Sequence, residues 1–148
     1  MKKTKTIDEI DPLKCSINFY EKPYLKLQRP KIQRGLEGKY NVTVGIDRYV
    51  IFNYPIGDEN HAREIQDLVK ERPLCLIDYL AVDWNFNGIT FNSTWQITRR
   101  VGRNTIAIPQ HITKDLDNGK LYNIAVRVVD IFGNDASSTI CVDLRDKK

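Results

Sequence analysis

The stretch Leu121–Leu144, LYNIAVRVVDIFGNDASSTICVDL, constrains the fold more tightly than any other part of the chain. Tyr122, Ile124, Val126 and Val128 fall on one side of an extended backbone. Ile140, Val142 and Leu144 repeat the alternation after Phe132-Gly133-Asn134-Asp135, a run of turn-forming residues. A period of two on both arms around a glycine turn is a β-hairpin, and an isolated hairpin is not stable in water. The chain must therefore supply further strands to cover the apolar face.

Such strands can be read upstream. Tyr24-Leu25-Lys26-Leu27-Gln28 alternates and is ended by Arg29-Pro30, because proline lacks the donor a ladder needs; it reads as an edge strand. Tyr40, Val42, Val44 and Ile46 point one way while Asn41, Thr43, Gly45 and Asp47 point the other. Tyr49-Val50-Ile51-Phe52 is either a continuation of this strand or a second one after a bend near Gly45–Arg48. Asp58 can cap a helix over residues 59–72, with Ala62, Ile65, Leu68 and Val69 at helical spacing and Pro73 stopping it. The pattern returns to strand after Cys75, with Val82, Trp84 and Phe86 on one face and Trp84 as a core anchor. Asn87-Gly88 reads as a two-residue turn, with Phe91 and Trp95 on the returning arm. Thr105–Ile108 reads as a short strand and Asp117–Lys120 as a turn. About seven strands with turn signals at regular spacing predict a mainly β protein, an immunoglobulin/PKD-like antiparallel β-sandwich with one helix.

At 148 residues the chain has room for one domain. Residues 1–14, polar and closed by Asp11-Pro12, read as a flexible tail or linker remnant, leaving a single domain over residues 15–146. No apolar run approaches the roughly 18 residues that cross a bilayer. The lysines of the N-terminus precede no apolar stretch, so a cytoplasmic location without membrane contact is expected. Cys15, Cys75 and Cys141 match neither a disulfide framework nor a zinc pair, and read as free thiols.

The small positive excess is unevenly placed. Residues 1–48 carry 11 Lys/Arg against 6 Asp/Glu, residues 49–94 carry 3 against 7, and residues 95–148 carry 9 against 6. That is compatible with nucleic acid nearby but lacks the concentrated basic face of a dedicated DNA binder. Arg99, Arg100 and Arg103 form the densest basic cluster. They can contact DNA phosphates or acidic groups of a partner, or they are a solvated loop between strands. Lys31 and Arg34, in a run with Lys26 and Arg29, admit the same phosphate reading beside a structural one, in which charge and proline protect a sheet edge from strand addition.

Few catalytic patterns fit. His61 has no second ligand at i+4 and His111 is equally isolated, so no zinc site is expected. Asp83, Asn85, Asn87 and Gly88 match the first half of an EF-hand loop, but position 12 is Thr94 rather than a bidentate glutamate, and the turn explains the residues without calcium. Asn53-Tyr54-Pro55-Ile56 has neither the order nor the paired prolines of the Asn/Asp-Pro-Pro-Tyr loop of amino-methyltransferases. Asp78, Asp83, Asp130 and Asp135 are read as turn chemistry, aspartate side chains bonding nearby amides.

The pair of stretches Ile77–Gly88 (IDYLAVDWNFNG) and Tyr122–Asp135 (YNIAVRVVDIFGND) resembles a C-terminal domain found behind adenine-specific DNA methyltransferases of restriction-modification type. Phe91, Trp95-Gln96 and Arg99-Arg100 extend the resemblance, which covers residues 77–144. The family usually has acidic residues where this chain has Asn85 and Asn87. The final hairpin also resembles the last two strands of PKD-type modules. The chain has no glycine-rich strand-to-helix turn for S-adenosylmethionine and no loop for a flipped adenine. The resemblance thus implies a noncatalytic accessory domain, without cofactor or metal, that docks on or positions a DNA-methyltransferase catalytic domain. The alternatives are a stand-alone PKD-like protein-interaction module and a weak, nonspecific DNA-backbone binder using Arg99, Arg100, Arg103, Lys31 and Arg34.

Overall fold

The computed structural model describes residues 23–51, 59–72 and 74–145. The tail at 1–14, Cys15, Asn53–Ile56, the Asp58 cap and Pro73 lie outside the described residues. The expected architecture holds: two antiparallel sheets pack face to face, with one helix among the described residues.

The first sheet is built on β3 (Lys39–Val50). β1 (Tyr24–Leu27) and β2 (Lys31–Arg34) pair along the same side of it, Leu25 opposite Tyr49 and Ile32 opposite Val42. They are two halves of one edge strand, interrupted at Pro30 as the missing donor requires. Gln28 N donates to Gly45 O at 2.8 Å and carries the ladder toward the break. The arm closes on a tight turn in which Glu37 and Gly38 both have positive φ, 55° and 73°. Two consecutive left-handed residues match the right-handed twist of the strands they join.

β3 settles the choice left open between a continuation and a second strand. Tyr40, Val42, Val44 and Ile46 are buried, and then the parity switches to Tyr49 and Ile51. The pairing explains the switch: Lys26 is opposite Arg48 but Leu27 is opposite Ile46, so Asp47 is an extra residue. That bulge rotates the strand by one side chain and keeps a single 12-residue strand apolar toward the core at both ends. On its other side β3 pairs with β6 (His111–Asp117).

The second sheet has the order β5-β4-β7-β8, with β4 at Ile77–Asp83, β5 at Trp95–Thr98, β7 at Leu121–Asp130 and β8 at Asp135–Asp143. β7 and β8 pair without a slip from Leu121–Asp143 to Val129–Asp135, the hairpin expected of this stretch. Tyr122, Ile124, Val126 and Val128 are buried on one face. Across the sandwich they meet the inward side chains of β3, with Leu80, Val82 and Trp84 in the same core. Helix α1 (Glu59–Glu71) places Val69 in this core and Ile65 against it.

Two expectations are corrected. Asn87-Gly88 does not join two strands directly, since β4 ends at Asp83 and β5 begins at Trp95. The dipeptide makes a local turn inside that loop, where Asn87 Oδ1 accepts from the amides of Ile89 and Thr90, both at 2.8 Å. Thr105–Ile108 is not a strand; only Ile106 bridges, to Arg100. The strand of this region is β6, whose charged residues give no apolar alternation.

The registers fix two ends of the sandwich. One gathers the Glu37-Gly38 turn, the 84–94 loop and the turn from β6 to β7, with Asn118 N donating to Gly38 O at 3.2 Å and Phe86 N to Asn123 O at 2.8 Å. The other gathers Leu74–Leu76, the β7–β8 turn and the segment after β5, with Ile131 N donating to Leu76 O at 2.9 Å and Arg99 N to Asp78 O at 2.7 Å.

Candidate functional site

The five basic residues read as contacts do not form one surface. Arg34 pairs with Tyr40 at the start of β3, at the end where the Glu37-Gly38 turn lies. Arg99, Arg100 and Arg103 follow β5 at the opposite end, on the edge of the other sheet. Lys31 and Arg34 are exposed on the interrupted edge strand, alongside Lys26, which lies 3.7 Å from Asp47. Charge at such a position suits the edge-protecting reading and leaves the phosphate reading open.

Within the arginine cluster the roles divide. Arg99 is half-buried, and its guanidinium donates through Nε to Ile77 O at 2.9 Å and through Nη2 to Leu74 O at 2.6 Å. It clamps the residues entering β4 onto the end of β5, so two of its donors are used inside the protein. Arg100 and Ile106 exchange both backbone hydrogen bonds, N to O at 3.0 and 2.8 Å, and close a loop between them. Thr105 Oγ1 donates to Gly102 O at 2.9 Å, and Gly102 supplies a φ of 116° that favours glycine. The loop presents Arg100, Val101 and Arg103 to solvent, and neither arginine side chain has a hydrogen-bond or ion-pair partner among the described residues.

Beside Arg99 lies Cys75, half-buried, with its amide donating to Arg72 O at 3.0 Å. Burial pushes its thiol above the ordinary value, and the Arg99 guanidinium only partly opposes this. Burial thus disfavours the thiolate, the nucleophilic form of the group. Cys141 is exposed on β8.

The buried aspartates are structural. Asp130, 2% exposed, accepts from Tyr49 Oη at 2.8 Å, from the amides of Phe132 and Asn134 at 2.9 Å each, and from Asn134 Nδ2 at 3.2 Å. Asp83, also 2% exposed, accepts from Asn85 N at 3.1 Å and Asn92 N at 2.8 Å. It folds the 84–94 loop back on itself, and Asn87 serves the same loop. The calcium-like spacing is therefore a set of side chains capping amides of their own loop. Among the described residues no three His, Cys, Asp or Glu side chains converge as a metal set. Nor is any helix there long and apolar enough to cross a membrane.

One feature has no signature in the sequence. A cleft of about 280 Å³, open to solvent, lies between β6 and the 84–94 loop at the end remote from Arg100. Trp84, Leu116 and Tyr122, all buried, contribute to its lining, and Lys39, Lys114 and Lys120 stand around it. Its cations come from three separate segments, so no cluster is visible along the chain. No family model, curated protein or solved structure matches the chain.

Proposed function

We propose that this chain is a noncatalytic β-sandwich accessory domain that docks on, and helps position, an adenine-specific DNA methyltransferase. One observation carries the reading beyond the sequence resemblance. The two stretches that bear it, far apart in the chain, are the central neighbours β4 and β7, with Val82 opposite Val126 and Leu80 opposite Val128. The resembling residues thus belong to one structural unit. Their aspartates, Asp83 and Asp130, hold the loops at its two ends. Carboxylates used in this way maintain a scaffold, which suits a docking role better than a catalytic one.

The test is recovery of the affinity-tagged chain, cross-linked in its source cells, followed by mass spectrometry and methylation assays. The expected outcome is an adenine DNA methyltransferase whose DNA affinity or rate falls when the chain is removed, while the purified chain alone transfers no methyl group from S-adenosylmethionine. Recovery without any methyltransferase sinks the proposal. It would favour the rival PKD-like interaction module, for which the β7–β8 hairpin closed by Asp130 and Gly133 argues.

A second reading rests on the Arg100–Ile106 loop. Its two arginines, unpartnered among the described residues, flank Val101, 83% exposed, and fit contact with a phosphate backbone. As a weak, salt-sensitive DNA contact it is compatible with the first reading, and it is tested by removing the two arginines and measuring the salt dependence of DNA retention.

A further inference from the structure

The cleft at the other end of the sandwich has a chemistry of its own. Among the described residues β6 is an edge strand, paired only with β3. Ile112 and Leu116 point into the core, and Lys114 sits between them with the same parity. A charge on the inward side of an edge strand has a structural use, because it discourages strand addition. Here it also carries an ammonium to the mouth of a cleft lined by Trp84 and Tyr122. Lys120 reaches the same cleft from the turn before β7. Among the described residues neither lysine has a hydrogen-bond or ion-pair partner, and neither does the side-chain amide of Asn85 on the opposite wall.

The remaining charges are accounted for. Lys39 and Asp117, opposite each other in the ladder, lie 3.9 Å apart and offset one another. Asp115 lines the cleft without a cation partner among the described residues. Two unpaired ammoniums against one carboxylate leave a net positive mouth over a partly apolar wall.

We infer that this cleft between β6 and the 84–94 loop binds a phosphate group, held by Lys114 and Lys120 with the Asn85 amide as a third donor. A tetrahedral anion with several acceptor oxygens can satisfy donors arriving from three segments at once. Exposure makes the site weak and sensitive to salt, with a Kd on the order of 1 mM for the bare anion. The Arg100–Ile106 loop is at the far end of the fold, so this site stands or falls independently of DNA contact there.

Amide NMR of the full chain, titrated with inorganic phosphate against sodium chloride at matched ionic strength, tests it. Phosphate should give saturable shifts at Asn85, Lys114, Leu116 and Lys120 that chloride does not reproduce. Lys114→Met combined with Lys120→Met should raise the Kd at least about tenfold, the effect expected when both charged donors to one anion are removed. Arg48→Met, an equal loss of charge per residue on the bulged part of β3, should leave it unchanged. Unperturbed shifts elsewhere in the double variant establish that it is folded. A short oligonucleotide that moves the same amides identifies the phosphate as nucleic-acid borne; one that does not, while phosphate does, assigns a small free ligand. Non-saturating shifts, equal shifts with chloride, or full binding by the double variant would overturn the inference.

Discussion

Tyr49 Oη lies 2.8 Å from Asp130 Oδ2, a hydrogen bond between the two sheets made by a fully buried tyrosine and a carboxylate 2% exposed. The bond depends on the Asp47 bulge, since without the extra residue Tyr49 would face outward. Asp130 in turn holds the β7–β8 turn through the amides of Phe132 and Asn134. One carboxylate therefore couples the packing of the sheets to the closure of the hairpin. Tyr49→Phe, which removes one donor and leaves the others, should lower unfolding stability by about 1.5–3 kcal/mol. Asp130→Ala removes the carboxylate that accepts from the buried hydroxyl and loosens the turn, and should cost about 2–4 kcal/mol. In a denaturant double-mutant cycle the two single losses should sum to well over that of the double variant. Full additivity would show that the pair is not coupled.

Trp84, 3% exposed, fills the core beneath the 84–94 loop, where its amide donates to Thr94 Oγ1 at 3.4 Å. Trp84→Ala should cost about 3–5 kcal/mol, the range for deleting a buried large aromatic. Chemical denaturation checks it, and a loss below about 1 kcal/mol would place the indole outside the core.

Gly45 lies beneath a bridge that crosses β3, in which His111 Nε2 and Gln28 Oε1 are 2.9 Å apart. A Cβ on Gly45 would stand 2.7 Å from both Gln28 Oε1 and His111 Cδ2. Gly45→Ala thus opposes two effects. Alanine is favoured over glycine in a strand by about 0.5–1 kcal/mol, and overpacking costs about 1–3 kcal/mol. The clash should win, giving a net loss of about 1 kcal/mol on chemical denaturation. Removing one obstacle with Gln28→Ala should recover part of that loss; equal loss in both backgrounds would mean the bridge is not what the methyl meets.

Burial raises the Cys75 thiol, and this sets the sign of one pH dependence. A group whose folded pKa is raised holds its proton more tightly in the native state, so its stabilising contribution is complete below the ordinary thiol range and is lost as pH rises through the folded value. Melting temperature should therefore fall on the alkaline side more steeply for the native chain than for Cys75→Ala. Identical alkaline slopes would show that the thiol does not contribute.

The hairpin and the first half of β3 were legible because each buries one face at a regular period, which local sequence displays directly; the helix was legible from its spacing although it commits only Val69 and Ile65 to the core and leaves Leu68 42% exposed. β6 was not, because Lys114 occupies the inward position between Ile112 and Leu116 and breaks the only signal an edge strand offers. The bulge at Asp47 was visible only as an ambiguity, since an inserted residue changes parity without changing composition. The site was harder still. Arg99 looks like its neighbours in the chain, and only the arrival of Ile77 O and Leu74 O distinguishes it. The lysines of the cleft are likewise brought together by strand register, not by spacing.

That division among the arginines gives a sharp test of the Arg100–Ile106 loop. Arg99→Ala removes two charged-donor hydrogen bonds to backbone carbonyls and should cost about 1.5–3 kcal/mol in stability. Arg100→Ala with Arg103→Ala removes only solvated charge, so stability should change by less than about 0.5 kcal/mol. If the loop touches a phosphate backbone, that double variant should weaken DNA retention in electrophoretic shifts. The slope of log affinity against log salt should shrink by up to about 2, roughly one for each phosphate no longer neutralised. Arg99→Ala should leave the slope as it is wherever the chain remains folded. An unchanged slope in the Arg100→Ala, Arg103→Ala variant removes DNA from the functions of this loop and leaves contact with acidic groups of a partner or a plain solvated connection between strands.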